Sequence, residues 1–208
     1  MGSRDPVEEQ IANILRLVGA RQGGTGTCLE VGCGDGRMTR QLAGRWDTVL
    51  ALDVSPEMLR RATADAPANV RYQLVSGVDL DDVPDSCADQ LICYGVLQHF
   101  PHTGLIGDYM KEFARVLASS GEAVVHLPLL RADLAARLWR SGRRLAIAIR
   151  SNGRRDFSAG IAYMGARLTE GELSAMVRDA GLRVAAQAEL ESYFGRARNV
   201  ILRLTPDL

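Results

Sequence analysis

The chain has almost no lysine: of its 25 Lys plus Arg, only Lys111 is lysine. Neither charge is in excess, because Asp plus Glu also number 25. A general nucleic-acid binder carries a basic surplus, so no nucleic-acid partner is expected. No apolar run approaches the ~20 residues that cross a bilayer. The N-terminus shows no basic stretch followed by an apolar run and a cleavage site. No membrane span and a cytoplasmic location are the resulting expectations. Cys28, Cys33, Cys87 and Cys93 form no CxxC pair and have no histidine at zinc-ligand spacing. Buried, reduced thiols and no metal site are expected. No repeat, low-complexity tract or linker divides the 208 residues, a length that buries one substantial core. The chain therefore reads as one domain, 1–208.

What is present is a globular composition, 47% hydrophobic, with the elements of an α/β protein in alternation. Val7, Ile11, Ile14, Leu15 and Val18 recur at helical spacing from Asp5 onward, and Gly23, Gly24 and Gly26 break that helix. Strands follow at Thr27–Val31, Thr48–Leu52, Val70–Val75, Ala88–Cys93 and Glu122–Leu127. Helical patterns separate them: one through Leu42, one opened by Ser55-Pro56 as N-cap and first turn, and one from Thr103 to Leu117. Ser119-Ser120-Gly121 reads as the turn into the fifth strand. Strands alternating with helices imply a mostly parallel open sheet with helices on both faces. Thr169-Glu170-Gly171-Glu172 is a capping box for a helix ended by Gly181. Arg183–Ala188 and Ala197–Leu204 then form an antiparallel C-terminal hairpin at one sheet edge.

The stretch Leu29-Glu30-Val31-Gly32-Cys33-Gly34-Asp35-Gly36-Arg37 runs a buried strand into three alternating glycines and at once into a helix. Glycines let backbone approach a ligand closely, and a helix N-terminus offers unpaired N–H groups to a polar or anionic one. The dinucleotide fingerprint GxGxxG requires Gly or Ala where Arg37 stands, so the pattern fits NAD poorly. Glu30 precedes the first glycine, and the second strand ends at Asp53, a carboxylate placed to accept from both hydroxyls of a ribose. A nucleoside ligand follows from the two features together.

At these residues the sequence resembles the class I S-adenosylmethionine-dependent methyltransferases, in their small-molecule branch. Glu30-Val31-Gly32-Cys33-Gly34-Asp35-Gly36 is similar to their ExGxGxG signature and Leu52–Leu59 to their second motif. Asp85–Asp89 through Tyr94–Phe100 looks like their fourth-strand region, and Arg115-Val116-Leu117 with Gly121 resembles the approach to strand five. The resemblance covers Cys28 to Leu127 and implies a Rossmann-like fold with S-adenosyl-L-methionine as cofactor. It places the backbone of Gly32, Cys33, Gly34 and Gly36 on the methionine and ribose, Glu30 toward the ammonium, and Asp53 on the ribose. Val54 and Met58 line the adenine, and backbone near Tyr94 also faces the ammonium. Arg37 completes the contact set. Where many relatives have an acid directly after the glycine ending strand three, this chain has Gly77, Val78 and then Asp79. The adenine contact is therefore displaced to those residues or made by main chain. For Met58 plain core packing stays open.

Methyl transfer to a hydroxyl gains from positioning and from a base. His99 follows strand four at the carboxyl edge, where ligands bind in open α/β sheets, and is the leading candidate; packing or capping of the Gln98–Pro101 turn is the alternative. His126, near the end of strand five, is the second candidate, and His102 is read as exposed. No Asn-Pro-Pro-Tyr or Asp-Pro-Pro-Tyr run follows strand four, so a nucleic-acid base is not the expected acceptor. Residues 128–167 exceed the usual length of an αβ loop and carry eight arginines against Asp133 and Asp156 between Arg131 and Asp156. In the resembled family such an insertion covers the acceptor pocket; here it is expected as a lid favouring an anionic or polyhydroxylated small molecule. The expected function is O-directed methyl transfer to a sugar, natural product or other metabolite. A non-catalytic cofactor binder and an NAD(P)-dependent oxidoreductase are the competing readings, and a homodimer is left open.

Overall fold

The computed structural model describes residues 5–130, 165–190 and 197–207. The first helix, α1 (Pro6–Leu17), starts where the Asp5 carboxylate accepts from the Val7 N–H at 2.8 Å, with Pro6 in the first turn. Its inward stripe is Ile11, Ile14 and Leu15. Strand β1 (Gly24–Val31) begins within the glycines that the sequence pattern treats as a break. Its pairing with β2 (Trp46–Asp53) shifts register between Gly24 and Thr27, so the glycines form an irregular strand start. Between them lies α2 (Arg37–Ala43).

Helix α3 (Pro56–Ala62) is capped by Ser55, whose hydroxyl accepts from the Met58 N–H. It leads to β3 (Val70–Leu74) and then β4 (Ala88–Cys93). Helix α4 (Thr103–Val116) runs directly into β5 (Leu117–Leu130). Ser119-Ser120-Gly121 is therefore not a turn before the strand but lies inside it: Ala88 faces Leu117, yet Gln90 faces Glu122. The extra residues bulge out of β5, and Gly121 is tight there because a Cβ would stand 2.8 Å from the Ala88 carbonyl oxygen.

Helix α5 (Glu170–Asp179) has its capping box complete, and Gly181, at φ +73°, closes its end. The hairpin strands are β6 (Leu182–Leu190) and β7 (Ala197–Pro206). The seven strands order as β3-β2-β1-β4-β5-β7-β6, with β7 antiparallel to both neighbours and the other pairings parallel.

Alternate residues of each strand feed opposite faces. On one face Leu91, Leu127, Tyr109, Phe113, Leu173 and Val177 pack between the sheet and α4 and α5. On the other Ile11, Ile14, Leu42, Ile92, Val124 and Ile201 pack against α1 and α2. The amino edge is closed by Glu122, which accepts from the Arg21 N–H at 2.6 Å and from Gln90 Nε2 at 3.0 Å. The carboxyl edge, where β1, β2 and β4 end, carries the loops of the candidate site.

Candidate cofactor and acceptor site

Gly32, Gly34 and Gly36 all have positive φ, at +77°, +56° and +79°. Three different environments explain the three glycines. A Cβ on Gly32 would lie 2.2 Å from Val96 Cγ2, and one on Gly36 would lie 2.7 Å from the Tyr72 hydroxyl. A Cβ on Gly34 meets no atom within 4 Å, and the same holds at Gly95, φ +76°, just past β4. Gly32 and Gly36 are thus packing glycines, whereas Gly34 and Gly95 border open space.

The loop amides are more committed than the sequence pattern implies. Gly32 and Cys33 N–H both donate to the Leu52 carbonyl, and Gly36 N–H donates to Cys33. Gly34 N–H donates to Asp53 Oδ2 at 2.7 Å, and Ser55 N–H donates to Asp53 Oδ1 at 2.8 Å. The aspartate therefore fixes the loop and starts α3. A carboxylate has about four lone-pair sites, so each oxygen keeps one for a ribose hydroxyl.

Glu30 is 4% exposed, beneath the loop, and accepts from the Thr39 hydroxyl at 2.5 Å. Burial pushes its pKa up to about 7, against the Thr39 hydrogen bond and with help from the negative Asp53. Burial also pushes the Cys33 thiol up to about 12, so it is an inert neutral thiol. Val54 and Val78 are each 59% exposed and Met58 37%. A Cβ on Gly77 would stand 2.9 Å from Val54 Cγ1, so Val54 borders the β3 exit that carries Val78. Met58 is outside the core, which removes the core-packing alternative for it.

Other candidates are placed differently. Arg37 is 72% exposed at the side chain and pairs with Asp35 at 3.2 Å. The close packing that the NAD fingerprint puts at position 37 occurs instead at Gly36. Asp79 accepts from the Ser76 hydroxyl at 2.8 Å, folding the turn upon itself. The Tyr94 side chain turns toward α1, where its hydroxyl meets Gln10 Nε2 at 3.2 Å. His99 ends a short 3-10 turn, Leu97–His99, exposed at the carboxyl edge, with its Nε2 3.2 Å from the Gln98 amide nitrogen. His102 is exposed, as expected, and it also caps α4: its Nδ1 accepts from the Leu105 N–H. His126 is 6% exposed, its ring tilted against Tyr94 at 4.9 Å. The lid expected over 128–167 lies, for 131–164, outside the described residues. Its flanks are held at the carboxyl edge: Leu130 N–H donates to Leu168, and Ala166 N–H to Phe100.

Thr39 and Ser55 touch the two loop carboxylates, Thr39 through its hydroxyl on Glu30 and Ser55 through its N–H on Asp53, and neither is among the candidates named from the sequence. Ser55 carries a local signal, as an N-cap; Thr39 reaches Glu30 by packing of α2 on β1.

Residues 29–125 match a family described as a methyltransferase domain. Among curated proteins, the chain is 30% identical over 144 residues to a probable non-canonical nonribosomal peptide synthetase, CymA, of Salinispora arenicola, covering 65% of this chain and 2% of that protein. It is 26% identical over 189 residues to a ubiquinone biosynthesis O-methyltransferase of Xanthomonas euvesicatoria, covering 85% of this chain and 68% of that protein. Among solved structures, a SAM-dependent methyltransferase from Methanosarcina mazei superposes with a TM-score of 0.67 at 20% identity, over 99% of each chain. The seven-stranded order with its one antiparallel strand, the glycine loop and these likenesses converge: the chain has the Rossmann-like fold of the class I S-adenosylmethionine-dependent methyltransferases.

Proposed function

We propose that this chain transfers a methyl group from S-adenosylmethionine to a hydroxyl of a small-molecule acceptor: a sugar, natural product or other metabolite. The observation that carries the reading is Asp53, with a lone pair to spare on each oxygen, tied to Gly34 where the loop borders open space. The residues present fit the donor. Asp53 would hold the ribose, Val54, Met58 and Val78 offer exposed apolar surface to an adenine, and Glu30 supplies a carboxylate beneath the loop for an ammonium. S-adenosylmethionine supplies a methyl carbon activated by its sulfonium. The chain's own part is to fix the two reactants against each other, which alone is worth effective molarities on the order of 10⁵ M or more. The Xanthomonas relative named for O-methylation favours oxygen as the atom methylated.

Thermal denaturation in parallel with S-adenosylmethionine, S-adenosylhomocysteine and NAD(P)H tests the donor half. A ligand of the native state raises the midpoint as RT ln(1 + [L]/Kd). The two adenosyl compounds should raise it and the nicotinamides should not; the opposite pattern overturns the reading. Asp53→Ala should abolish the response, because charge-assisted bonds to the ribose contribute a few kcal/mol.

A further inference from the structure

Three of the four connections between consecutive parallel strands carry an α-helix: α2 after β1, α3 after β2 and α4 after β4. The passage from β3 to β4, residues 75–87, has none. It opens at the carboxyl edge, where Gly77 packs on Val54 and Val78 stands 59% exposed. Without helical hydrogen bonds of its own, the passage depends on neighbours to satisfy and shape its backbone. Leu80 and Val83, each 1% exposed, plug it into the core that Tyr109 and Phe113 of α4 also line.

Its polar anchor is a pair of residues one turn apart on α4, Glu112 and Arg115. Arg115 spends all five of its N–H groups. Nη1 donates to the Val83 carbonyl at 2.8 Å and to Asp85 Oδ1 at 2.6 Å. Nη2 donates to the Leu80 carbonyl at 2.8 Å and to Glu112 Oε2 at 2.7 Å, and Nε donates to Glu112 Oε1 at 3.2 Å. Glu112 Oε2 in turn accepts from the Leu80 N–H at 3.1 Å. Leu80 is thus gripped through both its N–H and its carbonyl, just after Val78 and Asp79. Farther on, Ser86 N–H donates to the Arg115 carbonyl at 2.9 Å. Ser86 is the one non-glycine residue with positive φ, +52°, among the described residues, a conformation that persists where surrounding bonds over-determine it.

We propose that Glu112 and Arg115 are positioning residues for the donor's base: by fixing Leu80 they hold Val78 and Asp79 in place against an adenine. Base preference is then set from α4, by side chains that never touch the base. This rests on the S-adenosylmethionine reading above. Asp79 Oδ1 takes the Ser76 hydroxyl, which leaves the other oxygen to accept from the 6-amino group of adenine. A 6-oxo base offers no donor there, and a site built to accept rejects an analogue that cannot give. The preference for adenine over hypoxanthine therefore reports how accurately the turn is held, and a small displacement is enough to lose it. The glycine loop and Asp53 are tied to each other by bonds that involve neither α4 residue, so the rest of the donor keeps its grip.

The test compares S-adenosylhomocysteine with S-inosylhomocysteine, its 6-oxo analogue, by calorimetry on the full chain. Wild type should prefer the adenine compound by about tenfold, the worth of one ordinary hydrogen bond. Arg115→Lys keeps the charge but replaces a planar fork of five donors with three rotating ones. Its preference should fall to within about twofold, with affinity for the inosine compound within about threefold of wild type. No preference in wild type, full preference in the folded variant, or an equal loss for both compounds overturns the positioning role, because a general loosening of the fold weakens both alike. Hydrogen exchange on wild type needs no variant: before any ligand is added, Leu80 N–H should be protected on the scale of the α4 amides. Fast exchange at Leu80 in the free protein, whether or not ligand slows it, means that α4 does not shape the turn and overturns the proposal. Failure of wild type to bind S-adenosylhomocysteine overturns the donor reading itself and the proposal with it, whatever Leu80 does.

Discussion

Glu30 and Asp53 end neighbouring strands, yet they meet different surroundings. Asp53 is tied to main-chain donors on both oxygens, while Glu30 is enclosed with the Thr39 hydroxyl. The folded state raises the Glu30 pKa from 4.5 to about 7. A raised carboxyl favours folding while protonated, so its contribution is full below about pH 4.5 and is lost as pH rises through about 7. The deficit above pH 7 is on the order of 3 kcal/mol. Glu30→Gln, which can still accept from Thr39, should therefore unfold at higher urea than wild type at pH 8 and show little difference at pH 5. Equal midpoints at pH 8 would remove burial as the dominant influence on this group. Under the proposed function, an ionised Glu30 is also the better partner for an ammonium. Wild-type affinity for S-adenosylmethionine should then rise between pH 6 and 8, and the Gln variant should be flat by calorimetry.

At the scale of elements, the glycine loop separates packing from binding. Gly32→Ala meets Val96, whose β-branched side chain has little freedom to move away, and it also forces a left-handed alanine. A loss on the order of 3 kcal/mol in urea unfolding is expected. Gly34→Ala carries only the backbone strain, roughly 1–2 kcal/mol, but its methyl enters the space where the loop borders the proposed nucleoside. It should lose more adenosyl affinity for less stability than Gly32→Ala does. The reverse order would mean that Gly34 faces solvent.

The same loop shows how far local pattern carries. Ser55-Pro56, the Thr169–Glu172 capping box and Gly181 act within a few residues, and each was legible because caps and turns are short-range chemistry. The register shift at Gly24 and the bulge at Ser119–Gly121 were not. Glycines and serines read as punctuation unless a neighbouring strand is there to pair with them.

For the whole molecule, the last strand in sequence is an inner one in space. β7 pairs with β5 along Ala123–Leu130 and with β6 along Leu182–Leu190, and it buries Val200, Ile201, Leu202 and Leu204. Deleting residues 197–208 removes the inner strand that joins β6 to the sheet and leaves two hydrogen-bonding edges open. Circular dichroism should then show no cooperative melt; a sharp transition retained would mean the first six strands form a self-sufficient core.

The sequence by itself determined the α/β alternation, the glycine loop with Glu30 and Asp53 at two strand ends, and the capped helices, because periodicity and capping act between near neighbours along the chain. Tertiary structure alone decided three things: that β7 lies between β5 and β6, that Glu30 is enclosed with Thr39 while Asp53 holds Gly34, and that Tyr94 stands against His126 with Gln10 at its hydroxyl. Those residues are separated by tens of positions and carry no spacing of their own. Strand order, register and the docking of the helices on the sheet bring them side by side, and these are set by burial of apolar side chains on both sheet faces.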